Sequence, residues 1–158
     1  MPSPDSQPKR NPSLERKFAA RLAAVQCVYA KMIHEKTPKQ ALLDWQLAQE
    51  GEDRFLPFKP DKKLLKALFI GTQEMHGALN DHALRILGER WQGARMSRVM
   101  RAIFLCALYE MVYTPSLRTH IILSEYVNVA ASFLDDKDTG FVNGALQEIA
   151  KVLRPVAQ

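Results

Sequence analysis

The sequence is poor in the residues that build covalent, metal-bound or phosphate-cradling sites. Two cysteines, Cys27 and Cys106, stand among 158 residues, both within apolar helical patterns and in no Cys-x-x-Cys arrangement. That argues against a disulfide framework and against a thiolate zinc site. The histidines, His34, His76, His82 and His120, never recur at the i, i+4 spacing that puts two imidazoles on one helix face, so no metal is expected. There is no G-x-G-x-x-G, no phosphate loop and no nucleophile elbow, and with them go the commonest nucleotide and acyl-transfer sites. No cofactor and no enzymatic activity are expected. No apolar run approaches the roughly 18 residues that span a bilayer, and Met1 to Pro12 lacks the apolar block of a secretory signal. A cytoplasmic protein without a membrane partner follows as the expectation. Alternation with period two is missing as well, which leaves little to build a sheet.

Helical periodicity is abundant. Met1 to Pro12 reads as a disordered basic tail, and residues 13–158 as one domain. Asn11-Pro12-Ser13 joins an N-cap residue to a proline suited to the first helical turn. Leu14, Phe18, Leu22, Val25, Val28, Tyr29 and Met32 then recur at threes and fours. Thr37-Pro38-Lys39-Gln40 has the form of a capping box opening a second helix. Gly51 to Pro60 reads as a loop, Asp61 to about Leu79 as a helix, and Asp81 to Leu87 as a further helical stretch stopped at Gly88. Around Gly93 the halves separate. Arg95 to Tyr113 is strongly apolar and ends at Thr114-Pro115, Arg118 to Leu134 carries another apolar stripe, and Asp135 to Asp138 forms a charged connector. A last helix runs to about Leu153. The fold class is all-α, with about seven helices in two packed subdomains.

Charge is unevenly placed. Residues 1–36 carry seven Lys or Arg against three acidic residues, and residues 85–101 carry five arginines against Glu89 alone, within a net charge of +5. Basic segments on a neutral-to-acidic body point to a polyanion, nucleic acid above all, with a merely solvated basic face as the alternative. At the start of the first helix, Lys17 and Arg21 stand four apart on one side, with Arg16 beside them, a side that attracts phosphates. Glu110 and Glu125, inside apolar helices, suit pairing with an arginine better than acid–base chemistry. Thr139-Gly140-Phe141-Val142-Asn143-Gly144 puts two poor helix formers into the first turns of the last helix. That cost calls for close packing or a binding site nearby.

Four segments in order, Arg16 to Tyr29, Ala107-Leu108-Tyr109-Glu110-Met111, Leu123-Ser124-Glu125-Tyr126-Val127 and Phe141-Val142-Asn143-Gly144, resemble the NusB family of bacterial antitermination factors over about residues 13 to 154. The resemblance implies a two-subdomain helical fold without catalysis. It implies binding of the single-stranded boxA element of ribosomal RNA leader transcripts together with NusE, a small-subunit ribosomal protein. Through that complex RNA polymerase reads past terminators. By position, RNA would meet Arg16, Lys17, Arg21, Phe141 and Asn143, and NusE would meet Tyr29, Met100 and Arg101. A homodimer is left open. The chain departs from the family pattern at Met100, where an acidic residue is usual, at Leu105 of Ile103-Phe104-Leu105, at Leu123-Ser124, and at Gly140, where a basic residue is frequent. These departures leave a second expectation standing, a protein-interaction module of the same fold without RNA recognition. A third, the RNA-targeting part of a ribosomal RNA methyltransferase, is not expected, because no cofactor-binding segment follows. Gly144 is expected to let a neighbouring helix approach, while Phe141 and Asn143 face RNA.

Overall fold

In the computed structural model the described residues are 11–49 and 59–155. They form α1 (Pro12–Ile33), α2 (Pro38–Gln49), α3 (Lys62–Glu74), α4 (His76–Leu87), α5 (Glu89–Gln92), α6 (Arg98–Tyr113), α7 (Thr119–Phe133) and α8 (Asp136–Leu153). The expected tail, apart from its last two residues, and most of the Gly51 to Pro60 loop lie outside the described residues.

Local chemistry sets most of the boundaries. Asn11 accepts a hydrogen bond from the Ser13 N–H at 2.8 Å, with Pro12 in the first turn. Thr37 Oγ1 accepts from the Gln40 N–H at 3.1 Å, so half of the expected capping box forms. The Gln40 side chain turns instead to Asp44, donating at 2.8 Å. The strong apolar helix begins at Arg98 rather than Arg95, because Ser97 is its N-cap and accepts from the Met100 N–H. The charged connector is itself helical. Asp135 caps α8 by accepting from the Asp138 N–H at 2.8 Å, and Asp136 and Asp138 occupy the first turn, where carboxylates meet the positive end of the helix dipole.

Two boundaries follow from packing. The expected helix from Asp61 to Leu79 is divided at Met75, whose φ of −100° and ψ of 15° redirect the chain while hydrogen bonds continue on both sides of it. The bend sends α3 onto α1 and lets α4 lie against α6 and α8. Gly88, with φ of 61°, takes the left-handed conformation that glycine adopts without steric cost. It turns the chain into α5, where Trp91 is buried, donates to Asn80 Oδ1 at 2.8 Å and meets Phe104 edge-on.

The core is one apolar cluster threaded by α6. Ala102 through Leu108 are all buried, as expected of a helix that is apolar all round. Helices α1, α3, α4, α7 and α8 all pack on it, while α2 rests on α1 and α3. Burial of each large side chain such as Ile103, Phe104 or Leu108 contributes about 1.5–3 kcal/mol. Arg154, at the end of α8, closes the opposite end of α6. Its guanidinium donates to the carbonyls of Glu110 at 3.1 Å, Met111 at 2.9 Å and Thr114 at 2.7 Å, and also to that of Leu117. Carbonyls around the helix end are thereby bonded to a cation, those of Glu110 and Thr114 in addition to the Thr114 and Leu117 N–H groups they already accept.

Gly144 does not serve a close approach. It is exposed, and a Cβ there would meet nothing within 4 Å. The close approach is at Gly71 of α3, where an added Cβ would overlap the Tyr109 ring.

Candidate nucleic-acid interface

Arg16 and Lys17 project from the first turns of α1 and are exposed. Among the described residues neither is in an ion pair. The Arg16 carbonyl accepts the Asp61 N–H at 2.9 Å, which fixes the α3 start beside this turn. Two cations on a solvated helix start attract phosphates without losing an internal partner.

Arg21, expected on the same surface, is inside the protein, at 4% exposure. Its Nε and Nη2 donate to the two oxygens of Glu110 at 2.8 and 2.9 Å, and Glu125 lies 3.8 Å from Nη1. Tyr126 donates its hydroxyl to Glu110 at 2.5 Å. Burial alone pushes the guanidinium down, yet the hydrogen bonds and charge of Glu110, with Tyr126 and Glu125 behind it, hold it above its ordinary value. Burial, then Glu110, pushes the Tyr126 phenol well up, so it stays a donor. Arg21 therefore ties α1 to α6 and α7 and offers no donor to a surface ligand. The pairing expected for Glu110 and Glu125 is present, with Arg21 as the arginine. Cys27 is buried in the core, its thiol pushed up to about 12 by burial, which leaves it unreactive.

Phe141 lies in the second turn of α8, half-buried against the core. Arg95 covers its ring, with the guanidinium carbon 4.5 Å from the ring centroid, and Arg95 also lies 3.8 Å from Asp138. An exposed cation thus stands on the aromatic face where a base would stack. Arg95 is a functional candidate that sequence reasoning passed over. The basic segment 85–101 was the available signal, but nothing local marks which of its arginines meets Phe141. Asn143 is half-buried, and its side-chain oxygen accepts from Gln147 Nε2 at 3.2 Å. Helices α1 and α8 are not among the well-packed pairs; each reaches the other through α6 and α7.

The residues carried over for a protein partner divide similarly. Tyr29 is exposed and borders a groove of about 420 Å³ shared with Val25, Trp45, Val99 and Phe133. Met100 is 1% exposed and faces the core, so it presents no side chain to a partner. Its neighbour Arg101 is half-buried, with the guanidinium 4.5 Å over the Trp91 ring.

A protein-family model described as the NusB family matches residues 19–151. The chain belongs to the NusB family. It is 31% identical to the transcription antitermination protein NusB of Sphingopyxis alaskensis, over 91% of this chain and 98% of that protein. It is 29% identical to the NusB of Rhodopseudomonas palustris strain BisB18, over 97% of this chain and 89% of that one. Two solved structures share the fold. NusB of T. maritima superposes with a TM-score of 0.68 at 22% identity, covering 85% of this chain and 90% of that one. A chain from a crystal structure of antitermination factors NusB and NusE in complex with double-stranded RNA gives 0.71 at 18% identity, covering 88% and 98%. In this NusB-family chain the match begins at Ala19, so Arg16 and Lys17 lie just ahead of it. Among the described residues no helix is long and apolar enough to cross a membrane, and no group of three or more potential metal ligands gathers.

Proposed function

We propose that this chain is a transcription antitermination factor. It holds boxA-type single-stranded RNA of ribosomal RNA leader transcripts jointly with NusE and reaches RNA polymerase through that complex. It acts in the cytoplasm by binding alone, without catalysis. The carrying observation is the pair Arg16 and Lys17, cations exposed on the first turns of α1 with no internal partner among the described residues, in a chain whose relatives are antitermination proteins along nearly their whole length. Each phosphate neutralised on a single strand contributes about 0.7 to the logarithmic salt slope. Binding by the isolated chain is therefore modest and salt-sensitive, and sequence preference has to come from base contacts. Phe141 and the Asn143 amide on α8, with Arg95 ahead of α6, are the groups that fit that role.

A second reading, a protein-interaction module without RNA recognition, is favoured by one arrangement: the Phe141 ring is already covered by Arg95, which is held near Asp138. Equilibrium binding to boxA and to scrambled RNA, single- and double-stranded, with and without NusE and across a salt series, separates the two. Antitermination predicts a boxA preference of about ten-fold or more in the presence of NusE. A stable NusE complex that treats boxA and scrambled RNA alike supports the module and removes the antitermination reading.

A further inference from the structure

A second cationic face meets an open aromatic groove on α3. Lys62 and Lys63 open that helix and Lys66 follows one turn later, all exposed. Among the described residues none of the three enters an ion pair. Lys63 and Lys66, three apart and so on one side of the helix, border a groove of about 370 Å³. Ile70, Gly71 and Glu74 of α3 and Tyr109 of α6 also line it. The Tyr109 ring seats against α3 because position 71 has no side chain: a Cβ there would occupy the space of the ring. Tyr113, one turn on and 37% exposed, extends the aromatic surface, its ring centroid 5.0 Å from that of Tyr109.

This face adjoins the proposed RNA surface. The hydrogen bond from the Asp61 N–H to the Arg16 carbonyl joins the two helix starts, so Arg16 and Lys17 are followed by Lys62, Lys63 and Lys66. Exposed cations beside a half-buried aromatic ring form the combination that holds single strands, charge for the phosphates and a ring for a base. We propose that RNA held at the α1 start continues across α3, with phosphates against Lys63 and Lys66 and an unstacked base in the groove against Tyr109. The inference rests on the RNA reading of α1. The occupant is a nucleic-acid strand because two lysines border the groove beside an aromatic ring, against the single acidic residue Glu74.

The test is equilibrium binding of the full chain, in a salt series, to a core boxA strand and to the same strand lengthened by about eight nucleotides on each side. Lengthening is expected to tighten wild-type binding about ten-fold. Lys63→Ala with Lys66→Ala is expected to remove most of that gain, to lower the long-strand salt slope by about 1.4, and to leave core binding unchanged. Tyr109→Phe should keep the gain and Tyr109→Leu should lose part of it, at melting temperatures recorded alongside. An α3 double variant that binds the long strand like wild type, while Arg16→Ala with Lys17→Ala weakens the core strand, overturns this inference alone. Equal losses on both strands, or equal losses in a charge-matched Lys39→Ala with Lys151→Ala control, also overturn it. A wild-type chain indifferent to both strands removes the RNA reading and this inference together.

Discussion

Arg16 and Lys17 lie one helical turn before Arg21 on α1, yet they meet opposite surroundings. The first two extend into solvent with no ion-pair partner among the described residues, whereas Arg21 is 4% exposed and bidentate to Glu110. The same chemistry serves two purposes on one helix. Exposed cations retain their donors for a ligand, while a buried guanidinium uses its donors to join α1 to α6 and α7. A run of basic residues in a sequence is therefore not a map of a binding surface.

The largest effect should come from breaking the buried side of this comparison. Glu110→Gln or Arg21→Met leaves an uncompensated group in the core, and chemical denaturation should record a loss of about 3–5 kcal/mol. Replacing both partners, Arg21→Met with Glu110→Leu, should recover only part of it, because the buried Tyr126 hydroxyl then lacks its acceptor and Glu125 its guanidinium. The remaining folded fraction of either single variant should bind RNA as wild type does.

Arg154→Ala comes next. It leaves several carbonyls at the end of α6 without their charged donor, and a loss of about 2–3 kcal/mol in the same denaturation experiment is expected.

The glycines should then separate by sign. Gly71→Ala must displace the Tyr109 ring and costs about 1 kcal/mol, at the low end of overpacking because the ring is half-buried and can turn outward. Gly144→Ala, open to solvent in mid-helix, should gain about 0.5–1 kcal/mol. Thermal melts of the two variants, moving in opposite directions, would check both.

The smallest effect concerns the exposed pair Arg90 and Glu148, whose carboxylate accepts two hydrogen bonds at 2.7 and 2.9 Å. The Arg90 hydrogen bonds lower the Glu148 carboxyl from its ordinary 4.5. The stabilisation is then fully present above about 4.5 and fades as pH falls through the lower folded value. A melt series from pH 7 to about 3 should show Glu148→Gln converging on wild type at the acid end.

Much of the fold was legible because helix signals are local. Asn11-Pro12, Thr37 and Gly88 mark boundaries by their own chemistry, and α6 announces its burial by being apolar on every side. What was illegible depended on tertiary partners. No pattern around Met75 foretells a bend that packing on two different neighbours imposes. Asp135 to Asp138 look like a connector until the Asp138 N–H is seen donating to Asp135. Among the site residues, Arg16 and Lys17 sit at exposed positions, as short-range periodicity allowed, whereas Tyr29, counted in the apolar stripe, is exposed. Arg21 and Met100 could not be placed, because their fate depends on Glu110 and on the core around α6. Arg95 was missed for the converse reason, since its partner Phe141 comes from a helix distant in sequence. Gly144, thought to ease a close approach, left that role to Gly71, which nothing local distinguishes.

The central claim is that the α1 start is a phosphate-binding surface and that Arg21 is not part of it. It is tested most directly by the salt dependence of boxA RNA binding for Arg16→Ala with Lys17→Ala, measured beside a thermal melt. The account predicts a logarithmic salt slope smaller by about 1.4 and weaker binding at low salt, at an unchanged melting temperature. An unchanged slope and affinity would contradict it.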